Sequence, residues 1–374
     1  MSDEIEPLQR IARLTPLDDV LARIDALVKP VPVRSVDLAA ASGRTLARDI
    51  VLERPIPAAA LALRDGWAVP SELTADAGPY APAPLATAIR IDAGEPLPAG
   101  TDAVAPFDAV MLREGQAQAL LPVAQGDGVW PAGADAAAGA VLARAGGALS
   151  PLHVALLAAL GIDSVGIREP RIGIASARAS SDRIIDAALQ CIASGFEHKG
   201  AVVVRSLATE SLEHMLVEAD VDAVVVVGGT GCGQADTAVS TLAAKGKVVA
   251  HGIGLIPAET ASFGLAGERP VLLLPGRFEG ALAASHVLGG AMLARLAGSS
   301  EPLRLRGATL TRKVSSTAGL AELVPVSCEG RFATPIGSGY VPLATLAQAN
   351  GWLFITPESE GFQAQSEVMI RPWP

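Results

Sequence analysis

The chain has 374 residues, a formal net charge of −10, half of its residues hydrophobic and 3% aromatic. At roughly 100–200 residues per domain it holds several compact units, and its acidic balance excludes a nonspecific nucleic-acid or acidic-membrane surface, which needs a basic face. The start MSDEIEPLQR lacks the apolar core of a signal peptide, no apolar run approaches the roughly 20 residues that cross a bilayer, and three scattered cysteines (Cys191, Cys232, Cys328) read as reduced thiols in a cytoplasmic protein.

In chain order, Thr15-Pro16-Leu17-Asp18 predicts a helix start, with Thr15 as N-cap and Pro16 at the first helical position. Leu17, Leu21, Ile24 and Leu27 recur at helical spacing until Lys29-Pro30 ends the run. Short extended pieces follow to about Val69, and Asp65-Gly66 within LALRDGWAV (61–69) predicts a hairpin. Residues 70–135, rich in Pro, Gly and Ala, read as a small all-β lobe, and PLHVALLAALG (151–161) as a helix closed by Gly161.

From Arg171 strands alternate with helices. Strands are expected at 171–177, 201–207, 222–227, 247–255 and 270–276. Helices are expected at 181–195 (capped by Ser180 or Ser181), at 209–220, up to Gly246, and through about Leu296. That alternation predicts a doubly wound, mostly parallel sheet with four loops, 176–181, 228–236, 255–260 and 275–281, at its carboxyl edge, where such folds bind ligands. The tail from Glu301 reads as a separate small β-domain.

The densest signal is DAVVVVGGTGCGQADT (222–237). Val224 to Val227 suit a strand buried on both faces. Gly228, Gly229, Gly231 and Gly233 then allow close backbone approach, Asp236 is placed to cap the next helix, and free N–H groups at that helix start form an anion site. The segment is neither a Walker A loop nor a dinucleotide fingerprint, and an ordinary strand-to-helix turn is an equal alternative. Cys232 reads as a small apolar filler more readily than as a reactive thiol, and the five histidines show no ligand spacing.

Taken together, LTPLDDVLARI (14–24), RDGWAV (64–69), IDAGEPLPAGTDAVAP (91–106), WPAGADAAAGAVLARAG (130–146), GGTGCGQAD (228–236), LPG (274–276) and IGSGYVPLATLAQANGWLFI (336–355) resemble, in order, the motifs of the molybdopterin molybdotransferase family, the MoeA type related to the gephyrin E domain. The resemblance implies an α/β multidomain chain. An N-terminal linking domain (7–46 and 136–168) carries an inserted β lobe (47–135), and a molybdopterin-binding α/β domain (169–299) precedes a C-terminal β-barrel-like domain (300–374). It implies a cytoplasmic homodimer in which adenylylated molybdopterin and molybdate meet, the metal enters the dithiolene and AMP leaves, assisted by Mg²⁺. The site would lie between the α/β domain of one subunit and the β lobe of the other. Partners would be the upstream adenylyltransferase and a recipient molybdoenzyme, with no nucleic acid and no membrane.

Carried over residue by residue, Asp65 and Asp135 stand at the family's catalytic acid positions, although a turn-forming Asp-Gly and a solvated loop carboxylate are the plain alternatives. Gly228, Gly229, Thr230, Gly231, Gly233, Asp236, Pro275, Gly276 and Arg277 stand at pterin-binding positions, with Asp236 also the candidate metal ligand. The departures are specific. The family's TGDEL is SARASSD (176–182), with Asp182 the one acid able to substitute. The first acid of its GDYD is Gln234. Its KPGKP is IPAET (256–260), which puts Ile256 and Glu259 at the lysine positions, and its LPGNP is LPGRF (274–278). Charge-assisted contacts are therefore lost unless Arg277, Arg178 or Arg183 restores them. Two readings follow: a molybdate-inserting enzyme, or a paralogue without that chemistry that binds the cofactor as carrier, chaperone or maturation partner. An interaction scaffold that binds no pterin is a minor third.

Overall fold

The helix α1 (Leu17–Leu27) forms because Leu17, Val20 and Ile24 place one apolar stripe against the core, each 1% exposed or less. Its N-cap is Pro16, one residue later than expected, and Thr15 makes backbone bonds instead: its N–H donates to Gly252 O (2.8 Å) and its O accepts from Gly254 N (2.8 Å). The chain entering α1 is thus fixed to a loop more than 200 residues away. This computed structural model describes residues 9–177, 182–205, 212–217 and 219–372. The helix cap expected at Ser180 or Ser181 and the charge expected from Arg178 lie outside the described residues.

Two units are distinguished by contact density, residues 49–144 and the remainder. In the 49–144 unit short antiparallel strands predominate: Gly66–Val69 pairs with Ile89–Ile91 and Ala103–Ala105, while Ala83–Leu85, Gln116–Ala119 and Val110–Arg113 form a second sheet. Their inward residues, Val69, Ala103, Ala105 and Ala119 among them, make its core. The hairpin expected at Asp65-Gly66 is absent. Leu61–Ala62 pairs with Val129–Trp130, not with Gly66–Val69. Glycine is needed at 66 because a Cβ there would sit 2.2 Å from Ala105 O, a close approach, not a tight turn.

In the larger unit, α2 (Pro151–Ala159) has a Ser150 capping box, and Gly161 closes it at φ 79°. The α/β sheet runs in the order Val202–Arg205, Arg171–Ser176, Ala223–Val227, Arg269–Leu274, Ser262–Ala266, Lys247–His251. The first four strands are parallel and Ser262–Ala266 is reversed. That reversed strand was missed because its apolar residues merge with the loop before it. The helices α3 (Arg183–His198), α4 (Leu212–Val217), α5 (Ala238–Lys245), α6 (Phe278–Ala284) and α7 (Gly290–Ala297) cover the sheet, a π-turn (Ser285–Gly289) joining the last two. Val224 to Val227 are all 0% exposed, worth roughly 1.5–3 kcal/mol each. Phe278–Ala297 is long and apolar enough to span a bilayer, but 72% of that stretch is buried inside the protein, which makes it a core helix.

Beyond residue 300, Ala321–Glu329, Phe332–Pro335, Arg306–Leu310, Glu367–Pro372 and Gly351–Ile355 pair in sequence, and the last returns to the first. The result is a closed, barrel-like sheet with Leu310, Val324, Val326 and Ile355 inside.

Candidate functional site

The central strand ends at Val227, and the next two residues have left-handed backbones, Gly228 at φ 95° and Gly229 at φ 69°. No other residue fits at 229: a Cβ would lie 2.9 Å from Ala177 Cβ and 3.0 Å from Ala238 Cβ. The glycine loop meets its neighbours directly. Gly228 N donates to Leu274 O (2.9 Å), Ala177 N donates to Val227 O (3.0 Å), and a Cβ on Gly276 would stand 3.4 Å from Gly228 Cα. Thr230, 2% exposed, bonds through its hydroxyl to Thr260 Oγ1 (2.9 Å), and its carbonyl accepts from His251 Nε2 (3.1 Å), which fixes the imidazole proton on Nε2. The expected convergence therefore exists for Ala177 of the first loop and for the loops at 228–236, 255–260 and 275–281.

Asp236 does not cap α5. Thr237 is the N-cap and makes no side-chain cap bond. The Asp236 carboxylate turns back over the glycines, accepting from Gly233 N (3.2 Å), while Asp236 N donates to Gly233 O (2.9 Å). The helix start is satisfied by Gln9 instead. Gln9 Oε1 accepts from Val239 N (3.1 Å) and Ser240 N (3.2 Å), and its Nε2 donates to Gly229 O (2.8 Å) and Gly231 O (2.7 Å). The side chain is 6% exposed. The anion site expected at the helix N-terminus is thus already filled by a side chain. What remains is the loop itself: among the described residues the amides of Gly229, Thr230, Gly231 and Cys232 have no protein partner. Gly229 and Thr230 are buried, and a buried donor left without a partner costs about 1–3 kcal/mol. Such a row of amides is a concave anion cradle. Cys232 is exposed beside it, which removes its reading as a packed filler.

At 275–281, Pro275 is buried and Gly276 exposed. Arg277 pairs with Glu279 (2.7 Å) and stacks over Tyr340, 4.2 Å from the ring centroid. Glu279 is 4% exposed, so the arginine's charge is balanced from inside the protein. Arg183 is exposed at the first position of α3, and Asp182 caps that helix by accepting from Ile184 N (2.9 Å).

In the 49–144 unit, Asp65 is exposed and accepts from Ala93 N (2.7 Å), tying RDGWAV to IDAGEP. Asp135 is exposed, its N–H donates to Ile56 O (3.0 Å), and its carboxylate has no partner among the described residues. Gln9, His251, Thr260 and Tyr340 are additions that the sequence did not single out, and none sits in a local motif with the glycines.

Comparison with known proteins gives a consistent picture. Residues 15–161 match the MoeA N-terminal region (domains I and II), 174–295 a probable molybdopterin binding domain, and 307–373 the MoeA C-terminal region (domain IV). Molybdopterin molybdenumtransferase 1 of Mycobacterium tuberculosis is 27% identical over 400 residues, spanning 89% of this chain and 93% of its own. Molybdopterin molybdenumtransferase 2 of the same organism is 25% identical over 398 residues, spanning 94% and 97%. A crystal structure of a molybdopterin biosynthesis MoeA protein from Pyrococcus horikosii superposes with a TM-score of 0.83 at 26% identity, covering 97% of this chain and all of that one.

Proposed function

The chain belongs to the MoeA family, and on that premise we propose that it works in molybdenum cofactor biosynthesis as a molybdopterin molybdenumtransferase, inserting molybdate into adenylylated molybdopterin with release of AMP. The observation that carries this reading is the row of unpartnered amides from Gly229 to Cys232 at the carboxyl edge of the sheet, a cradle for the phosphate-bearing end of the pterin. Gly228, Gly229, Thr230, Gly231 and Gly233 shape that cradle, and Pro275, Gly276 and Arg277 form its wall. Because Glu279 balances Arg277, backbone amides supply the anion contacts in this reading.

Among the described residues no three metal-ligating side chains cluster. The donor set suits a divalent ion held by one carboxylate together with substrate phosphates, the usual mode for Mg²⁺. Asp236, whose carboxylate overhangs Gly231 and Gly233, is the residue that would hold it, and the ion would neutralise phosphate charge as AMP departs. Asp65 and Asp135 are the proton carriers of this reading: an oxo group displaced from molybdate leaves as water and needs two protons, which exposed carboxylates relay. The proposal extends to a cytoplasmic homodimer that takes its substrate from an adenylyltransferase.

The test is a turnover assay with adenylylated molybdopterin, molybdate and Mg²⁺, reading released AMP and bound pterin. Molybdate-dependent AMP release, abolished by Asp65→Asn, supports the enzyme. Pterin retained without AMP release makes the chain a carrier, and the absence of both signals overturns the proposal.

A further inference from the structure

Away from the glycine loop, the second half of α3, the π-turn Ser285–Gly289 and the strand Gly351–Ile355 line a half-open cavity of ≈ 30 Å³, with Cys191, Phe196, Lys199, Ser285, His286 and Trp352 among its walls. That volume exceeds the ~10–15 Å³ one water needs, and the open side leaves room for a larger guest to project into solvent. α3 begins at the carboxyl edge, and the cavity residues Cys191 to Lys199 follow its first residue by 8 to 16 positions. At 1.5 Å per residue they lie roughly 12–24 Å along the axis from that edge. The cavity is separate from the pterin cradle.

Its polar groups share one property. Ser285 is 9% exposed, and its hydroxyl has no hydrogen-bond partner among the described residues. The same holds for the His286 imidazole, which stacks against Trp352 at 6.4 Å, and for the Lys199 ammonium. Arg371 lies over Phe354 at 4.2 Å and makes no ion pair among the described residues. Burial, then the charges of Lys199 and Arg371, hold His286 down to about 4; burial, then Arg371, lowers Lys199. No carboxylate contributes to either shift, and the neighbouring Cys191 thiol is pushed up by burial. Lys199 and Arg371 repel one another here with no carboxylate partner among the described residues, and a bound anion relieves that repulsion with charge-assisted hydrogen bonds. The π-turn sets Ser285 and His286 side by side toward the space, and such insertions in helices often mark functional sites.

We propose that this cavity binds one small tetrahedral oxyanion (sulfate, phosphate or molybdate), held by the Ser285 hydroxyl, the Lys199 ammonium and the His286 ring, with Arg371 adding positive field. A neighbouring anion stabilises the imidazolium, so binding raises the His286 pKa above its free value of about 4, takes up a proton and tightens as pH falls.

The experiment is isothermal titration of the full chain with sodium sulfate, inorganic phosphate and sodium molybdate separately, in chloride buffer of constant ionic strength, at pH 6 and pH 8. The expected result is one saturable site per chain for at least one of the three, tighter at pH 6, and weakened about tenfold or more by Lys199→Gln and by Ser285→Ala. Lys199 is exposed, so its variant carries the test if Ser285→Ala does not fold. The ion that binds best identifies the source. No saturable binding, or binding that both variants leave intact, overturns the proposal, as does binding lost in Asp236→Asn, which would put the ion in the pterin cradle.

Discussion

Gln9 is the residue whose removal says most about how the site is built. Its carboxamide makes four hydrogen bonds, two to glycine-loop carbonyls and two from the first amides of α5. Gln9→Ala leaves all four groups without that partner. At about 1 kcal/mol for each bond, with water reaching the part-buried pair, the local loss is roughly 2–4 kcal/mol. Hydrogen exchange resolves such a local change: protection of the Val239 and Ser240 amides should fall roughly 30- to 1,000-fold, while the Val224–Val227 amides keep theirs. Gln9→Glu separates the two halves of the contact. A carboxylate still accepts from Val239 and Ser240 and gains from the helix dipole, but it faces the Gly229 and Gly231 carbonyls with no hydrogen to donate. Protection should therefore persist at the helix start and drop in the loop. Unchanged protection at 228–240 in Gln9→Ala would refute the account of Gln9 as the clamp of this loop.

Other outcomes follow from the same geometry. Asp65→Asn keeps an acceptor for Ala93 N, so stability should hold within about 0.5 kcal/mol while turnover falls roughly 10²- to 10⁴-fold, read by AMP release and thermal melting. Gly229→Ala combines a left-handed backbone with contacts of 2.9 and 3.0 Å. It should cost more than about 2 kcal/mol in denaturant titration and abolish pterin binding. Glu279→Gln frees the Arg277 charge and should tighten pterin binding several-fold, roughly 0.5–1.5 kcal/mol, measured by fluorescence titration. His286, held down to about 4, is neutral in the folded chain and charges near 6.5 when unfolded. Its contribution to stability is full above about pH 6.5 and is lost as pH falls toward 4, by up to about 3 kcal/mol. His286→Gln should flatten that limb of a melting-versus-pH curve in oxyanion-free buffer.

Much of this arrangement was legible in the sequence. Local periodicity carries strands and helices, so the Val224–Val227 run, α1 and α3 stand close to where their spacing put them. The glycines at 228 and 229 announced a turn with close backbone approach, and the structure gives the contacts that require it. What failed was the assignment of short-range partners. Asp236 sits where a cap belongs, and Asp65-Gly66 has a turn's composition, but Gln9, 230 positions from Val239, and Ala105, 39 positions from Gly66, decide the geometry. A side chain that meets its loop only after folding leaves no spacing to read. The Arg277–Glu279 pair was in plain view two residues apart, but its effect depends on burial of Glu279, which composition does not show.

The dipeptide Leu255–Ile256 falls by sequence within the α/β segment, yet it pairs in parallel with Ala321–Glu322 of the closed sheet, and Ala321 N donates to Gly254 O (3.0 Å). On its other side the same stretch is held by Thr15. A loop at the mouth of the cradle is therefore completed by residues from both ends of the polypeptide. During synthesis the α/β segment leaves the ribosome with this strand unmatched until some 65 further residues have followed, so the loop that carries Thr260 gains its last strand partner only when the last domain is made. Truncation near residue 299 would leave that edge open, because the Ala321–Glu322 partner of Leu255–Ile256 goes with the C-terminal sheet.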